Sequence, residues 1–188
     1  MDISHDCQDH TFRLSVYEAG HAITAYLLNQ KIISIQLLPR PPMLVAEKAF
    51  ANLSWNSFIE TLESRVMELF GGQIAEELIC HHSSCCSGDI SRIDEITRIL
   101  YALYSDDDLD LESSEDILFE LEERTQVMFA PQEVRDAILP VAEFIFAQEE
   151  EGVFEIDGKA VTREIEKVLP PPLKEKSGFL KTSRNSNI

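Results

Sequence analysis

The residues with types and spacing suited to chemistry lie in the stretch VYEAGHAI, residues 16–23. It differs by one letter from H-E-x-x-H, a helical pattern in which two histidines one turn apart bind zinc and the glutamate acts as general base. Glu18 and His21 keep the register of that pattern, but Tyr17 stands where the first histidine would be. A phenol has an unperturbed pKa of about 10 and becomes a good metal ligand only as phenolate. The stretch therefore predicts either a zinc site with an altered ligand or a site that binds metal weakly or not at all.

Helices and a small sheet are expected to position these residues. The chemical stretch falls in an amphipathic helix predicted over residues 12–29, with Asn29 at its end. A β-branched strand follows over residues 31–38, and a second strand over 44–53 is expected to pair with it. The later helices are predicted over 55–80 after the N-cap Ser54, over 89–104, 116–129 and 131–151, and after a turn at Asp157–Gly158. The pattern predicts a mainly α fold with a minor β part, a small sheet of two or three strands beside the active-site helix.

Small residues occur at two places inside the predicted helices. Gly71 and Gly72 are adjacent in the long helix, where each costs about 1 kcal/mol relative to alanine. Ala19 and Gly20 lie between Glu18 and His21. The paired glycine predicts close helix packing or a kink. Ala19 and Gly20 allow another chain segment to approach Glu18 and His21 closely.

Composition limits the function classes. The chain has 188 residues, 44% apolar, which suits one globular domain with a core. Its formal net charge of −18 opposes contact with phosphate, so nucleic acid is not an expected partner. No run approaches the roughly 20 apolar residues that cross a bilayer, and the polar start has no apolar leader, so no direct membrane insertion is expected. The four cysteines show no disulfide framework, and a cytoplasmic location is the expectation.

Four segments resemble, in order, the peptidase domain of the FtsH-type ATP-dependent zinc metalloproteases. In that family a helix carrying H-E-A-G-H precedes a strand ending in Pro-Arg, then a helix with Gly-Gly and Ala-Glu-Glu, then a loop leading to an aspartate that opens another helix. The corresponding segments here are RLSVYEAGHAITAYLL, ISIQLLPR, ELFGGQIAEELI and SGDISRIDEIT. The resemblance implies a helical peptidase domain over residues 12–169, between a flexible N-terminus (1–11) and a disordered tail (170–188).

The resemblance also implies roles for single residues. Glu18 corresponds to the family's general base, and His21 and Asp89 correspond to two of its three zinc ligands. Asp89 has a second interpretation as a simple helix cap. Tyr17 departs from the family pattern at the remaining ligand. The family's ATPase module is not seen either, because the chain contains no G-x-x-x-x-G-K-[ST] phosphate loop.

Other donors near Asp89 are candidates to replace the missing ligand. The preceding loop, HHSSCCSG, contains His82, Cys85 and Cys86, and imidazole and thiolate both suit zinc. Two functions follow. The first is a catalytically impaired pseudoprotease that acts in binding or assembly, as a homo-oligomer or with an FtsH-type ring or ATPase partner. The second is an active zinc endopeptidase on unfolded peptides, with its site completed by Tyr17 or by a loop ligand.

Overall fold

A computed structural model describes residues 7–38, 42–47, 54–83, 87–104 and 113–171. Within these ranges the chain forms six helices and one three-stranded antiparallel sheet, so the predicted mainly helical fold with a small sheet is confirmed. In chain order the elements are α1 (His10–Leu27), β1 (Ile32–Gln36), β2 (Met43–Ala46), α2 (Trp55–Cys80), α3 (Ser87–Tyr104), α4 (Ser114–Met128), α5 (Gln132–Glu150), β3 (Glu155–Asp157) and α6 (Gly158–Ile165).

Local hydrogen bonds explain where several helices begin and end. The Asp9 side chain accepts from two backbone N–H groups at the start of α1, and Asn29 follows the end of α1 with a φ of 56°. Ser54 caps α2, as its sequence position predicts. Ser113 and Asp116 form a reciprocal capping box at the start of α4. These polar side chains satisfy N–H groups that have no partner within the helix.

The sheet places β1 in the centre, with β2 and β3 on either side. Ile35 of β1 pairs with Leu44 of β2 and with Ile156 of β3, and all three side chains are buried. The predicted pairing of the first two strands is therefore confirmed for β1 and β2. Residues 48–53 of the predicted second strand lie outside the described residues.

The hydrophobic core forms where α1, α2 and α5 pack together. Val16 and Ile23 of α1, Leu69 of α2, and Ile138 and Ile145 of α5 are almost completely inaccessible to solvent. Burial of a side chain of this size contributes about 1.5 to 3 kcal/mol. Helix α1 is buried along most of its length, so the chemical residues it carries lie inside the domain.

Helix α2 also carries three buried glutamates, each within ion-pair distance of an arginine. Burying an unpaired carboxylate costs several kcal/mol, so such partners are needed for the helix to lie in the core. Glu63 pairs with Arg124 of α4, and Glu76 pairs with Arg13 of α1. Glu68 pairs with Arg65 within α2 itself.

Cys7 and Cys80 form a disulfide, with a Cα–Cα distance of 5.5 Å. The sequence pattern showed no disulfide framework, and the structure corrects that interpretation for this one pair. The two residues are 73 positions apart and become neighbours only because α1 and α2 run antiparallel. Two cysteines so far apart in the chain show no local sequence pattern from which their pairing could be predicted.

Helices α1 and α2 cross at glycines, which confirms the prediction of close packing at Gly71 and Gly72. A Cβ built on Gly20 would lie 2.2 Å from the Gly71 carbonyl oxygen, and one on Gly71 would lie 2.0 Å from Thr24 Oγ1. Real Cβ atoms do not approach other atoms so closely. The two helix backbones are therefore in direct contact, and α2 is continuous through the glycine pair.

Replacing Gly20 with alanine should reduce the free energy of unfolding by about 1 to 3 kcal/mol or more, because the added methyl forces the two backbones apart. Urea unfolding followed by circular dichroism measures the change. Gly88→Ala in the first turn of α3 is the matched control, because its Cβ would meet nothing within 4 Å. The control should be neutral or slightly stabilising. Equal loss in both variants would contradict the close crossing.

The predicted ends of the domain differ in how far the structure describes them. Of the segment 1–11 predicted as a flexible N-terminus, Cys7 is held in the disulfide and residues 10 and 11 belong to α1. Of the predicted tail, residues 172–188 lie outside the described part of the chain. Among the helices that the structure describes, none combines the length and apolar character needed to span a membrane.

Candidate functional site

The three residues of α1 that could bind a metal or act as a general base are all buried. Tyr17, Glu18 and His21 are exposed to 5%, 3% and 4%, respectively. Tyr17 and His21 are one helical turn apart on the same face, and their rings meet edge to face with centroids 4.6 Å apart. The Glu18 carboxylate is turned toward β2, where it accepts a backbone hydrogen bond from Leu44. The helical register that the sequence indicates therefore places all three groups in the interior.

Asp89, in the first turn of α3, reaches the same place from a different helix. The Tyr17 hydroxyl donates a hydrogen bond to Asp89 Oδ2 over 3.0 Å, and His21 Nε2 lies 3.8 Å from that oxygen. Arg92 Nη1 lies 3.5 Å from the other oxygen, Oδ1. The structure thus brings together Tyr17, His21 and Asp89, the three residues that the resemblance predicts at the ligand positions, and we call them the Tyr17–His21–Asp89 cluster.

The His21 ring is fixed by a second contact on its far side. Its Nδ1 lies 2.7 Å from the carbonyl oxygen of Glu68 on α2. Burial lowers the pKa of His21, and the Glu68 carbonyl and the Asp89 carboxylate offset only part of that effect. A neutral ring with its proton on Nδ1 donates to Glu68 and directs the Nε2 lone pair toward Asp89. Metal-ligating histidines are held in this same way.

Glu18 is held in its protonated form at neutral pH. Burial raises the pKa of its carboxyl group to about 8, with a further increase from the negative charge of Asp89, while the Leu44 hydrogen bond acts in the opposite direction. Within the described residues, Glu18 Oε2 has no hydrogen-bond partner. This oxygen is therefore shielded from solvent.

Two residues at this site have roles that sequence reasoning did not assign. Gly72 leaves the room that the two rings occupy, because a Cβ there would lie 2.8 Å from His21 Nε2 and 3.0 Å from Tyr17 Cε1. Arg92 places a cation beside Asp89 from one turn further along α3. The i, i+3 spacing in DISR is a local signal for that ion pair. No local signal links Gly72 to residues 51 and 55 positions earlier in the chain.

The candidate substitute ligands have different positions. His82 is exposed, and its Nδ1 lies 2.7 Å from the carbonyl oxygen of Cys80, so the ring contacts the end of α2. Cys85 and Cys86 lie outside the described residues, and the hypothesis that a thiolate completes the site stays a prediction. In the described ranges, no three or more His, Cys, Asp and Glu side chains are arranged to hold a metal ion.

The donor set of the cluster differs from that of a catalytic zinc site, which has three protein ligands and one open position. His21 and Asp89 are conventional ligands, but Tyr17 donates its hydroxyl proton to the same Asp89 oxygen that His21 faces. The phenol would have to lose that proton before binding a cation. As arranged, the residues fit a hydrogen-bonded cluster and do not fit a three-ligand zinc centre.

Comparison with known proteins assigns no family to this chain. No protein-family model matches it, and neither does any curated protein. The resemblance to the FtsH-type peptidase domain therefore stands on the ordered motifs and on their residues.

Proposed function

We propose that this chain is an FtsH-like peptidase domain whose metal site has become a hydrogen-bonded cluster, and that it is a catalytically impaired pseudoprotease acting in binding or assembly. The observation that carries the proposal is the hydrogen bond from Tyr17 to Asp89 Oδ2. It gives the Asp89 carboxylate a neutral protein partner at the position where the family has a metal ligand. The cluster then holds α3 against α1 as a structural contact.

The charges around Asp89 support the same conclusion. A buried or half-buried carboxylate needs a compensating positive charge or hydrogen-bond donors. Asp89 has the Tyr17 hydroxyl on one oxygen and the Arg92 guanidinium near the other. The carboxylate is therefore compensated by groups of this chain itself. A zinc ion is not required for its stability.

Metal analysis and a cleavage assay test the proposal. Protein produced and purified in zinc-containing buffer should hold well under one zinc per chain. It should leave an unstructured substrate such as casein intact over hours. One tightly bound zinc per chain, with cleavage that a chelator stops, would overturn the proposal.

The assembly part of the proposal has its own measurement. We infer association with a second copy or with an FtsH-type ring, because peptidase domains of the resembled family act as rings. Light scattering on the purified chain should give a multiple of the monomer mass. A monomer that also fails to join an active peptidase ring would remove this part of the proposal.

A zinc endopeptidase acting on unfolded peptides is the second candidate. The orientation of His21 favours it, because Nδ1 is anchored on Glu68 and Nε2 is directed toward Asp89, as in a metal ligand. A ligand from Tyr17 as phenolate or from Cys85, Cys86 or His82 would have to complete the site. The zinc analysis described above distinguishes the two candidates.

A further inference from the structure

Contacts between α1 and α2 follow one another along the helix pair toward the disulfide. Gly20 meets Gly71 at the crossing, and closer to the start of α1 the Arg13 guanidinium binds the buried Glu76 carboxylate at 2.7 Å. Beyond that ion pair lies the Cys7–Cys80 bond. The disulfide is thus the outermost of these cross-links between the two helices.

The disulfide fixes the C-terminal end of α2, after which the chain continues toward Asp89. Cys80 is the last residue of α2, and His81 follows it in the left-handed region with a φ of 60°. The chain then runs to α3, where Asp89 lies in the first turn. Between the two helices the structure describes residues 81–83, and residues 84–86 lie outside the described part of the chain.

Two contacts hold the described ends of the connection from α2 to α3. At its start the disulfide fixes Cys80 to the segment before α1. At its end the Tyr17 hydroxyl binds Asp89, so one anchor lies just before α1 and the other within it. Loss of the first anchor leaves the position of Asp89 dependent on the Tyr17 hydrogen bond and on the packing of α3.

Loss of the disulfide should act locally. The Arg13–Glu76 ion pair and the glycine crossing both lie inside the disulfide, and neither depends on it for its partners. Core side chains such as Leu69 and Val16 continue to hold the middle of the helix pair. We therefore expect the mobility gained on reduction to be confined, within the described residues, to the end of α2, residues 81–83 and the first turn of α3.

We propose that the Cys7–Cys80 disulfide is a redox-dependent clamp that sets the position of Asp89 relative to α1. A dithiol reductant breaks the Sγ–Sγ bond: its first thiolate attacks Cys7, which is the less buried partner, and Cys80 leaves as a thiolate that takes up a proton. The second thiol of the reductant then displaces the Cys7 sulfur, which also takes up a proton. The two electrons come from the dithiol, which ends as a disulfide.

Backbone ¹⁵N relaxation of the oxidised and dithiol-reduced protein tests the clamp. On reduction, order parameters for residues 77–83 and 87–90 should fall from about 0.85 to below about 0.6, while those of residues 63–76 stay unchanged. Unchanged values at residues 87–90 would overturn the proposal. A fall along the whole of α2 would also overturn it, because the effect would then be general loosening. The substitutions Cys85→Ser and Cys86→Ser serve as the control background, since both keep the disulfide while removing two other thiols.

A second measurement rests on the proposed function and asks whether the clamp controls the geometry of the site. In a Tyr17→His background, Cys7→Ser/Cys80→Ser replaces the reductant, because dithiols bind zinc themselves. Displacing a supporting contact of a ligand costs 10- to 100-fold in metal affinity, so zinc should bind at least about tenfold more weakly without the disulfide. Equal affinities would overturn the coupling. If Tyr17→His binds no zinc with the disulfide present, the proposed function fails, while the relaxation experiment still decides on the clamp.

Discussion

Replacing Tyr17 with histidine should create a zinc site that binds at least about 100-fold more tightly than the unaltered chain, with one ion per domain. The substitution restores an i, i+4 pair of imidazoles with His21, on a helix face that already directs the position-17 ring toward Asp89. The absent side chain of Gly72 leaves space beside both rings. Isothermal titration with zinc and metal analysis of the purified variant measure the change.

Two control variants separate ligand gain from simple loss of the phenol. Tyr17→Phe removes the hydroxyl that donates to Asp89 but adds no ligand, so its zinc affinity should remain as weak as that of the parent chain. Asp89→Asn combined with Tyr17→His should lose most of the gained affinity, since it replaces a carboxylate ligand by a neutral amide. If Tyr17→His shows no gain, position 17 does not belong to a metal pocket and the proposed origin of the site is wrong.

Replacing Glu18 with glutamine should remove a pH-dependent loss of stability that amounts to about 3 to 5 kcal/mol at high pH. The pKa of Glu18 is about 8 in the folded chain and 4.5 for the free side chain, because burial disfavours the charged form. The folded state therefore binds the proton more tightly. The stability linked to this proton is present in full below pH 4.5 and is lost as the pH rises through about 8. Urea unfolding of both proteins at about pH 5, 7 and 9, which covers the fall in stability and the plateau above it, measures the difference.

The pH dependence, rather than a single value, is the readout for Glu18→Gln. The amide buries an N–H₂ group where Oε2 had no partner in the described residues, which shifts stability by a similar amount at every pH. The difference between variant and parent should therefore increase as the pH rises from about 5 to about 8 and level off above that. Glu143→Gln on the exposed side of α5 is the matched control, because its side chain stays in water whether the chain is folded or not. A constant difference for Glu18→Gln would show that this carboxyl group is not buried as described.

Much of the secondary structure could be predicted because its causes are local. The spacing of Val16 and Ile23 shows the buried face of α1, and Ser54 marks the start of α2. The alternation of apolar residues around Ile35 identifies β1. Each pattern is set by residues within one or two turns or within one strand, and backbone geometry converts it directly into an element.

The candidate site could be predicted only in part. The register of Glu18 and His21 follows from helical periodicity, and the place of Asp89 came from a resemblance in motif order. The convergence of Asp89 on Tyr17 and His21 depends on how α3 packs against α2 and α4. The ion pair of Glu76 with Arg13 depends in the same way on the antiparallel packing of α1 and α2.

By itself, the sequence determined that one helix carries Tyr17, Glu18 and His21, with Tyr17 and His21 one turn apart. It also determined that a small sheet and further helices surround this helix. Only the tertiary structure decided that the Tyr17 hydroxyl binds Asp89, that Gly72 makes room for the rings, and that Cys7 is bonded to Cys80. The physical reason is that periodicity and capping act over a few residues. The position of an atom from a distant helix is set by the packing of the whole core, which no short stretch of the chain encodes.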